Sequence, residues 1–175
     1  MSVYISLLRG INVTGQKRVK MEELRTLYKS LGFKNVKTYI QSGNVIFEGA
    51  GTDFTLLKKN IESGIKQRFG FDVQVLITTP KKLRETMKNI PNDFDKNKAC
   101  IVFLFETPKH IPWDDLYSAK HETEKIKILK DVIYIHCPIG YGKTKLSNNF
   151  FERKLKVAAT SRNLRTINKL LILSE

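Results

Sequence analysis

The chain has 175 residues, with 31 Lys and Arg against 17 Asp and Glu, a formal charge of +14. An apolar share of 41% predicts a packed core, and the length fits one large domain or two small ones. Two cysteines support neither a disulfide framework nor a zinc site, and no run approaches the roughly 20 apolar residues that span a bilayer.

Val3 to Arg9 is β-rich and mostly apolar, as expected of a central strand buried on both faces. It is too short for a signal-peptide core and has no cationic stretch before it, so the expectation is a soluble cytoplasmic protein with no membrane partner. Gly10 to Val19 reads as a polar loop. Met21, Leu24, Leu27, Tyr28 and Leu31 then recur at helical spacing, and Gly32 stops the helix. Val36 to Gln41 and Asn44 to Glu48 are strands joined by a turn at Ser42-Gly43. Phe54, Leu57, Ile61, Ile65 and Phe69 mark a second amphipathic helix, opened by Asp53 and closed by Gly70. Asp72 to Thr78 is a fourth strand.

The order β-α-β-β-α-β is the split βαβ, or ferredoxin-like, plan. Right-handed crossovers between parallel strands leave one gap each, which the other pair's strand fills. The predicted sheet order is 4-1-3-2, with both helices on one face. The end of the first strand then shares an edge with the hairpin turn. Two distant polar segments, Arg9-Gly10-Ile11-Asn12 and Gln41-Ser42-Gly43-Asn44, are thereby expected to meet.

Thr79-Pro80 begins a short helix. Pro91-Asn92-Asp93 and the polar stretch to Lys98 read as a linker, which divides the chain into subdomains 1–90 and 91–175. In the second, Ala99 to Glu106 is a strand and Pro112 starts a brief helix with Asp114 and Asp115 in its first turn. Glu122 to Leu129 and Val132 to Cys137 form a hairpin. Leu146, Phe150 and Leu155 give a helix, and Leu164, Ile167, Leu170 and Leu171 the last one, opened by Thr160-Ser161-Arg162-Asn163. This half reads β-α-β-β-α-α, a partial echo of the first. The fold class is α+β, with tandem ferredoxin-like subdomains and largely antiparallel sheets.

Positive charge concentrates in two blocks, Gln16 to Lys37 and Lys143 to Lys169. Tyr28, Phe33, Tyr39, Tyr141, Phe150 and Phe151 lie in or beside them, as core residues or as stacking surfaces for single-stranded nucleic acid. An excess of this size favours polyanionic partners. Arg9 offers a fork for phosphate or carboxylate, and Asn12, Gln41, Ser42 and Asn44 offer neutral polar groups beside it. The structural alternative is that the asparagines cap turns and Gly43 supplies a positive φ. Arg162 and Asn163 complete the ligand-binding set.

Gly140-Tyr141-Gly142-Lys143-Thr144 invites comparison with the phosphate loop G-x-x-x-x-G-K-[ST]. Cys137 stands where that motif needs its first glycine, so a weaker anion site with Lys143 and Thr144, joined by Lys154 and Lys156, is the reading retained. His110, His121 and His136 have no metal-ligand spacing. The sequence presents no catalytic residue and calls for no metal and no cofactor.

Leu7-Leu8-Arg9-Gly10-Ile11-Asn12-Val13, Met21-Glu22-Glu23-Leu24 and Thr38-Tyr39-Ile40-Gln41-Ser42-Gly43-Asn44-Val45 resemble motifs of the bacterial domain-of-unknown-function 1697 family. The tail Ala159-Thr160-Ser161-Arg162-Asn163, with Thr166, Lys169 and Leu170, is similar to that family's closing motif. The family often carries tryptophan where this chain has Leu164. The resemblance implies tandem ferredoxin-like subdomains and no established activity.

The expected function is binding of a polyanion, RNA or a nucleotide-like ligand, at the converging polar loops. Two alternatives stand beside it: an enzyme acting on a small phosphorylated or carboxylated metabolite in a cleft between the subdomains, and a protein-interaction module. The partner is accordingly nucleic acid or a phosphorylated small molecule, and the oligomeric state is open.

Overall fold

A computed structural model describes residues 1–175. In its first half, β1 (Ser2–Leu8), α1 (Met21–Ser30), β2 (Lys34–Tyr39), β3 (Asn44–Gly49), α2 (Phe54–Phe69) and β4 (Val75–Thr78) follow in the order expected. The sheet runs β2-β3-β1-β4, all neighbours antiparallel. Ile5 of the central strand lies opposite Ile46 on one side and Thr78 on the other.

The helical stripe of α1 buries Met21, Leu24, Leu27 and Tyr28, and α2 buries Leu57, Ile61 and Ile65. These side chains form one cluster with Tyr4, Leu8, Val45, Phe47 and Val75 from the sheet. Each buried aliphatic side chain contributes about 1.5–3 kcal/mol of transfer free energy. Phe33 and Phe47 pack with ring centroids 4.5 Å apart, and Tyr28 meets Phe47 edge-on at 5.3 Å. The Asp53 carboxylate accepts from the Thr55 and Leu56 amides at 2.9 and 3.2 Å, capping α2.

The second half contains α3 (Pro80–Lys88), β5 (Ala99–Leu104), α4 (Trp113–Ala119), β6 (Lys125–Leu129), β7 (Val132–His136), α5 (Asn148–Leu155), β8 (Ala159–Asn163) and α6 (Leu164–Leu173). Its sheet runs β6-β7-β5-β8, again antiparallel throughout. From β5 to β8 the order is therefore β-α-β-β-α-β, the same plan as the first half and not the β-α-β-β-α-α of the sequence reading. The segment Thr160–Arg162 is a strand, and only Asn163, at its end, opens the last helix, its Oδ1 accepting from the Thr166 amide at 2.8 Å. A strand with Thr160 and Arg162 on one face lacks the apolar alternation that marks strands in a sequence.

The core of this second sheet joins Val102, Leu104, Ile133, Ile135 and Ala159 to Leu116, Phe150, Phe151 and Leu155 from α4 and α5. The two compact units comprise Met1–Glu85 with Asn168–Glu175, and Thr86–Ile167. No helix is long and apolar enough to cross a membrane.

Candidate functional site

The two polar segments of the first unit meet. Asn12 Nδ2 donates to the Gln41 carbonyl at 2.8 Å and to the Val19 carbonyl at 2.9 Å, while its Oδ1 accepts from the Val19 amide at 2.9 Å. One amide side chain thus closes the loop before α1 and ties it to the β2–β3 turn. Gly43 completes the junction. Its carbonyl accepts from the Leu8 amide at 2.9 Å, and its φ is +75°. A Cβ there would lie 2.6 Å from Leu8 Cβ and 2.8 Å from Ile11 Cδ1, so the turn approaches β1 as closely as only glycine permits.

Inside the loop, Asn12, Thr14 and Lys17 hold φ values of 54°, 49° and 45°. For Thr14, a β-branched residue, that region is strongly disfavoured. Strained backbone of this kind clusters at ligand-binding sites. The loop folds over a hollow of about 500 Å3 walled by Asn12, Arg18, Lys20, Glu23 and Gln41. Gln41, Arg18 and Lys20 are exposed. Arg18 Nε donates to the Gly15 carbonyl at 3.2 Å, which leans the guanidinium along the loop.

The remaining candidates from this unit are placed differently. Asn44 is fully buried beneath the turn, donating to the Tyr39 carbonyl at 3.0 Å and Ser42 Oγ at 2.9 Å. Ser42 and Arg9 are half-buried and do not wall the hollow. The Arg9 amide donates to the Gln74 carbonyl at 3.0 Å, which ties it to the approach to β4. Arg18 and Lys20 were absent from the sequence-derived site, although both lie in the first basic block. The signal that finds them is loop closure, since Asn12 bonding to Val19 carries its neighbours to the rim.

In the second unit Arg162 is 7% exposed. Its Nη1 donates to Thr160 Oγ1 at 2.8 Å and the Ser161 carbonyl at 2.7 Å. Burial pushes its guanidinium down to about 10, with the nearby Cys100 opposing. Lys143 and Thr144 line a second hollow. Lys143 sits on a single 3-10 turn, Tyr141–Lys143, and α5 begins only at Asn148 under a Ser147 cap. The lysine is thus not on the first turn of a helix, as a phosphate loop requires. Lys154 Nζ pairs with Asp115 Oδ2 at 2.8 Å, and Lys156 ends α5 in a left-handed conformation. Neither borders that hollow.

Of the aromatics beside the basic blocks, Tyr28, Phe33, Phe150 and Phe151 are core residues. The exposed ring pair is one that sequence reasoning passed over: Trp113 and Tyr117 on α4, stacked at 5.7 Å. Their i, i+4 spacing was its signal. No group of three or more His, Cys, Asp or Glu side chains gathers where a metal ion could be held.

The fold is similar to that of a solved structure, the conserved bacterial protein SP0830 from Streptococcus pneumoniae. The TM-score is 0.72 at 23% identity, over 99% of each chain, a likeness of fold. No match was found among the curated proteins. The family described as "Protein of unknown function (DUF1697)" matches over residues 1–134, which include the clasped loop, the hairpin turn and most of both sheets. The chain belongs to that family.

Proposed function

We propose that the chain binds a polyanion, single-stranded RNA foremost, where the loop before α1 meets the β2–β3 turn. The observation that carries this reading is the hollow of about 500 Å3 with Arg18 and Lys20 on its rim and the Gln41 amide exposed beside them. Arginine and lysine meet phosphates. A side-chain amide pairs with base edges. The formal charge of +14 adds long-range attraction for any such ligand.

The test is fluorescence anisotropy of a labelled single-stranded RNA titrated with the full chain at several salt concentrations. Phosphate contacts make log K fall linearly with log salt, and removing one contact lowers the slope by about 1. Arg18→Ala and Lys20→Ala are each expected to do so. A slope untouched by both variants, or no binding at low salt, overturns the reading.

A further inference from the structure

Both hollows carry a carboxylate on the wall, and the two are placed differently. Glu124 of the second unit is 1% exposed and accepts from the His121 amide at 2.8 Å, so it is closed to a ligand. Glu23 of the first unit is half-buried and walls the hollow beside Arg18 and Lys20. Its carboxylate enters no hydrogen bond and no ion pair.

The helix does not account for that carboxylate. Glu23 stands third in α1, from where a glutamate can reach back to the amide of the residue before the helix. That bond to Lys20 is not made, and Lys20 brings no side-chain cap of its own. The field of the helix end acts equally on Glu22, which is exposed and does not wall the hollow. A carboxylate repels phosphate and, when ionised, only accepts hydrogen bonds. This wall therefore suits a part of the ligand that carries donors.

Gln41 stands ready in the same way. Its main-chain carbonyl is held by Asn12 at 2.8 Å, while its exposed side-chain amide is not engaged. Val13 and Ile40, next in the chain to Asn12 and Gln41, are 56% and 49% exposed and offer apolar surface from both clasped segments. The volume of about 500 Å3 lies within the range of small-molecule sites, about 300–1,000 Å3.

The four bases answer such a wall differently. Guanine presents N1–H and the N2 amino group side by side, so both carboxylate oxygens receive a donor, and its O6 next to them accepts from an amide. Uracil offers one N3–H between two carbonyls, and sets one of those carbonyls against the second carboxylate oxygen. Cytosine and adenine offer one amino group each, with an unprotonated ring nitrogen beside it. We infer that the hollow receives a guanine base of the RNA strand, with Glu23 accepting from N1–H and the N2 amino group and the Gln41 amide donating to O6. Arg18 and Lys20 remain on the phosphates. This assignment rests on RNA binding at the same rim and adds the base that is read there.

The experiment is fluorescence anisotropy on the full chain, with short labelled uridine strands that carry one central guanine, inosine, adenine or uridine. The guanine strand is expected to bind about tenfold more tightly than the uridine strand. Inosine lacks only the N2 amino group and is expected to bind at least about threefold more weakly than guanine. Glu23→Gln, which puts an amino group in place of one acceptor oxygen, is expected to bring the guanine and uridine strands within about twofold of each other. A purely structural role for Glu23 would weaken all strands alike and leave that ratio in place. The inosine comparison uses the unmutated chain and does not depend on how the variant folds. Equal binding of the guanine and uridine strands, with a salt slope that Arg18→Ala lowers, overturns the assignment and leaves RNA binding standing. A guanine preference shared by inosine, or untouched by Glu23→Gln, overturns it too. Binding of no strand at low salt overturns both.

Discussion

The two units share one topology and differ in which end of it carries the polar loops. In the first, the long connection follows β1, spans Arg9–Lys20 and meets the β2–β3 turn, while β3 passes to α2 through only Ala50–Asp53. In the second, the long connection follows β7, spans Cys137–Ser147 and meets the turn between α4 and β6, while β6 passes to β7 through Lys130 and Asp131. The end of β1 and the end of β7 are opposite ends of the shared plan, because β7 holds the place that β3 has in the first sheet, and β3 runs antiparallel to β1 as β7 does to β5. The scaffold sets where loops can gather, and the loop lengths choose which gathering becomes a hollow. The manner of closure also differs. The first hollow is held by a side-chain clasp and a glycine contact, and the second by a short turn around a buried carboxylate.

This contrast is most exposed to a pair of glycine substitutions. Gly43→Ala should destabilise the chain by about 2–4 kcal/mol, from the left-handed backbone and the clash with Leu8 and Ile11 together. Gly142→Ala, in open space, should stay within about 0.5 kcal/mol. Urea denaturation followed by circular dichroism reads both, and equal effects would contradict the difference drawn between the loops. Next in size is Asn12→Ala, which strands the Val19 amide and carbonyl and should cost about 1–3 kcal/mol. It should also weaken RNA binding by loosening the rim.

Helix capping, in contrast, is common to both units. Asp53→Ala at α2 and Ser147→Ala at α5 each remove a cap and should cost about 1 kcal/mol apiece. A markedly unequal pair of midpoint shifts would show that the units do not rely equally on their second helices.

The smallest effect near neutral pH is alkaline. Both cysteines lie in the second unit, and burial pushes each thiol from its ordinary 9.0 up to about 12. Between these values the unfolded chain has lost the thiol protons and the folded chain retains them, so stability falls as pH rises through that window. The C100A/C137A variant should show a shallower decline above pH 9.0 than the unmutated chain, and no difference in slope below it. Parallel declines throughout would contradict the assignment.

How far the sequence revealed the molecule follows from the same physics. Met21, Leu24, Leu27 and Tyr28 repeat at helical spacing because one face of α1 is buried, and that pattern is readable. Asp53 and Gly70 mark the ends of α2 because helix ends need those residue types, and both do what their chemistry suggests. The strand β8 was not readable, since Thr160 and Arg162 are buried polar residues satisfied by partners that only the folded chain supplies. Consequently the repetition of the fold was seen only in part. At the site, residue types announced polar loops that converge, and the Asn12–Gln41 bond realises that convergence. The structural alternative also holds, since the Asn12 and Asn44 amides are engaged in holding the loops and Gly43 has a positive φ, whereas residue types did not reveal that Arg18 and Lys20 stand at the rim. Glu124 was invisible for a further reason. In the sequence it reads as a strand residue, and only the fold shows its carboxylate to be buried.

The most direct test of the central claim is a nuclear magnetic resonance titration of the isotope-labelled chain with a single-stranded RNA at low salt. Anion recognition at the first unit's rim predicts that the amides of Gly15, Arg18, Lys20 and Gln41 move most, and that Arg18→Ala shrinks those movements at the same RNA concentration. Shifts scattered over the lysines of both units, insensitive to Arg18, would contradict it and leave only undirected attraction between a basic protein and an acid.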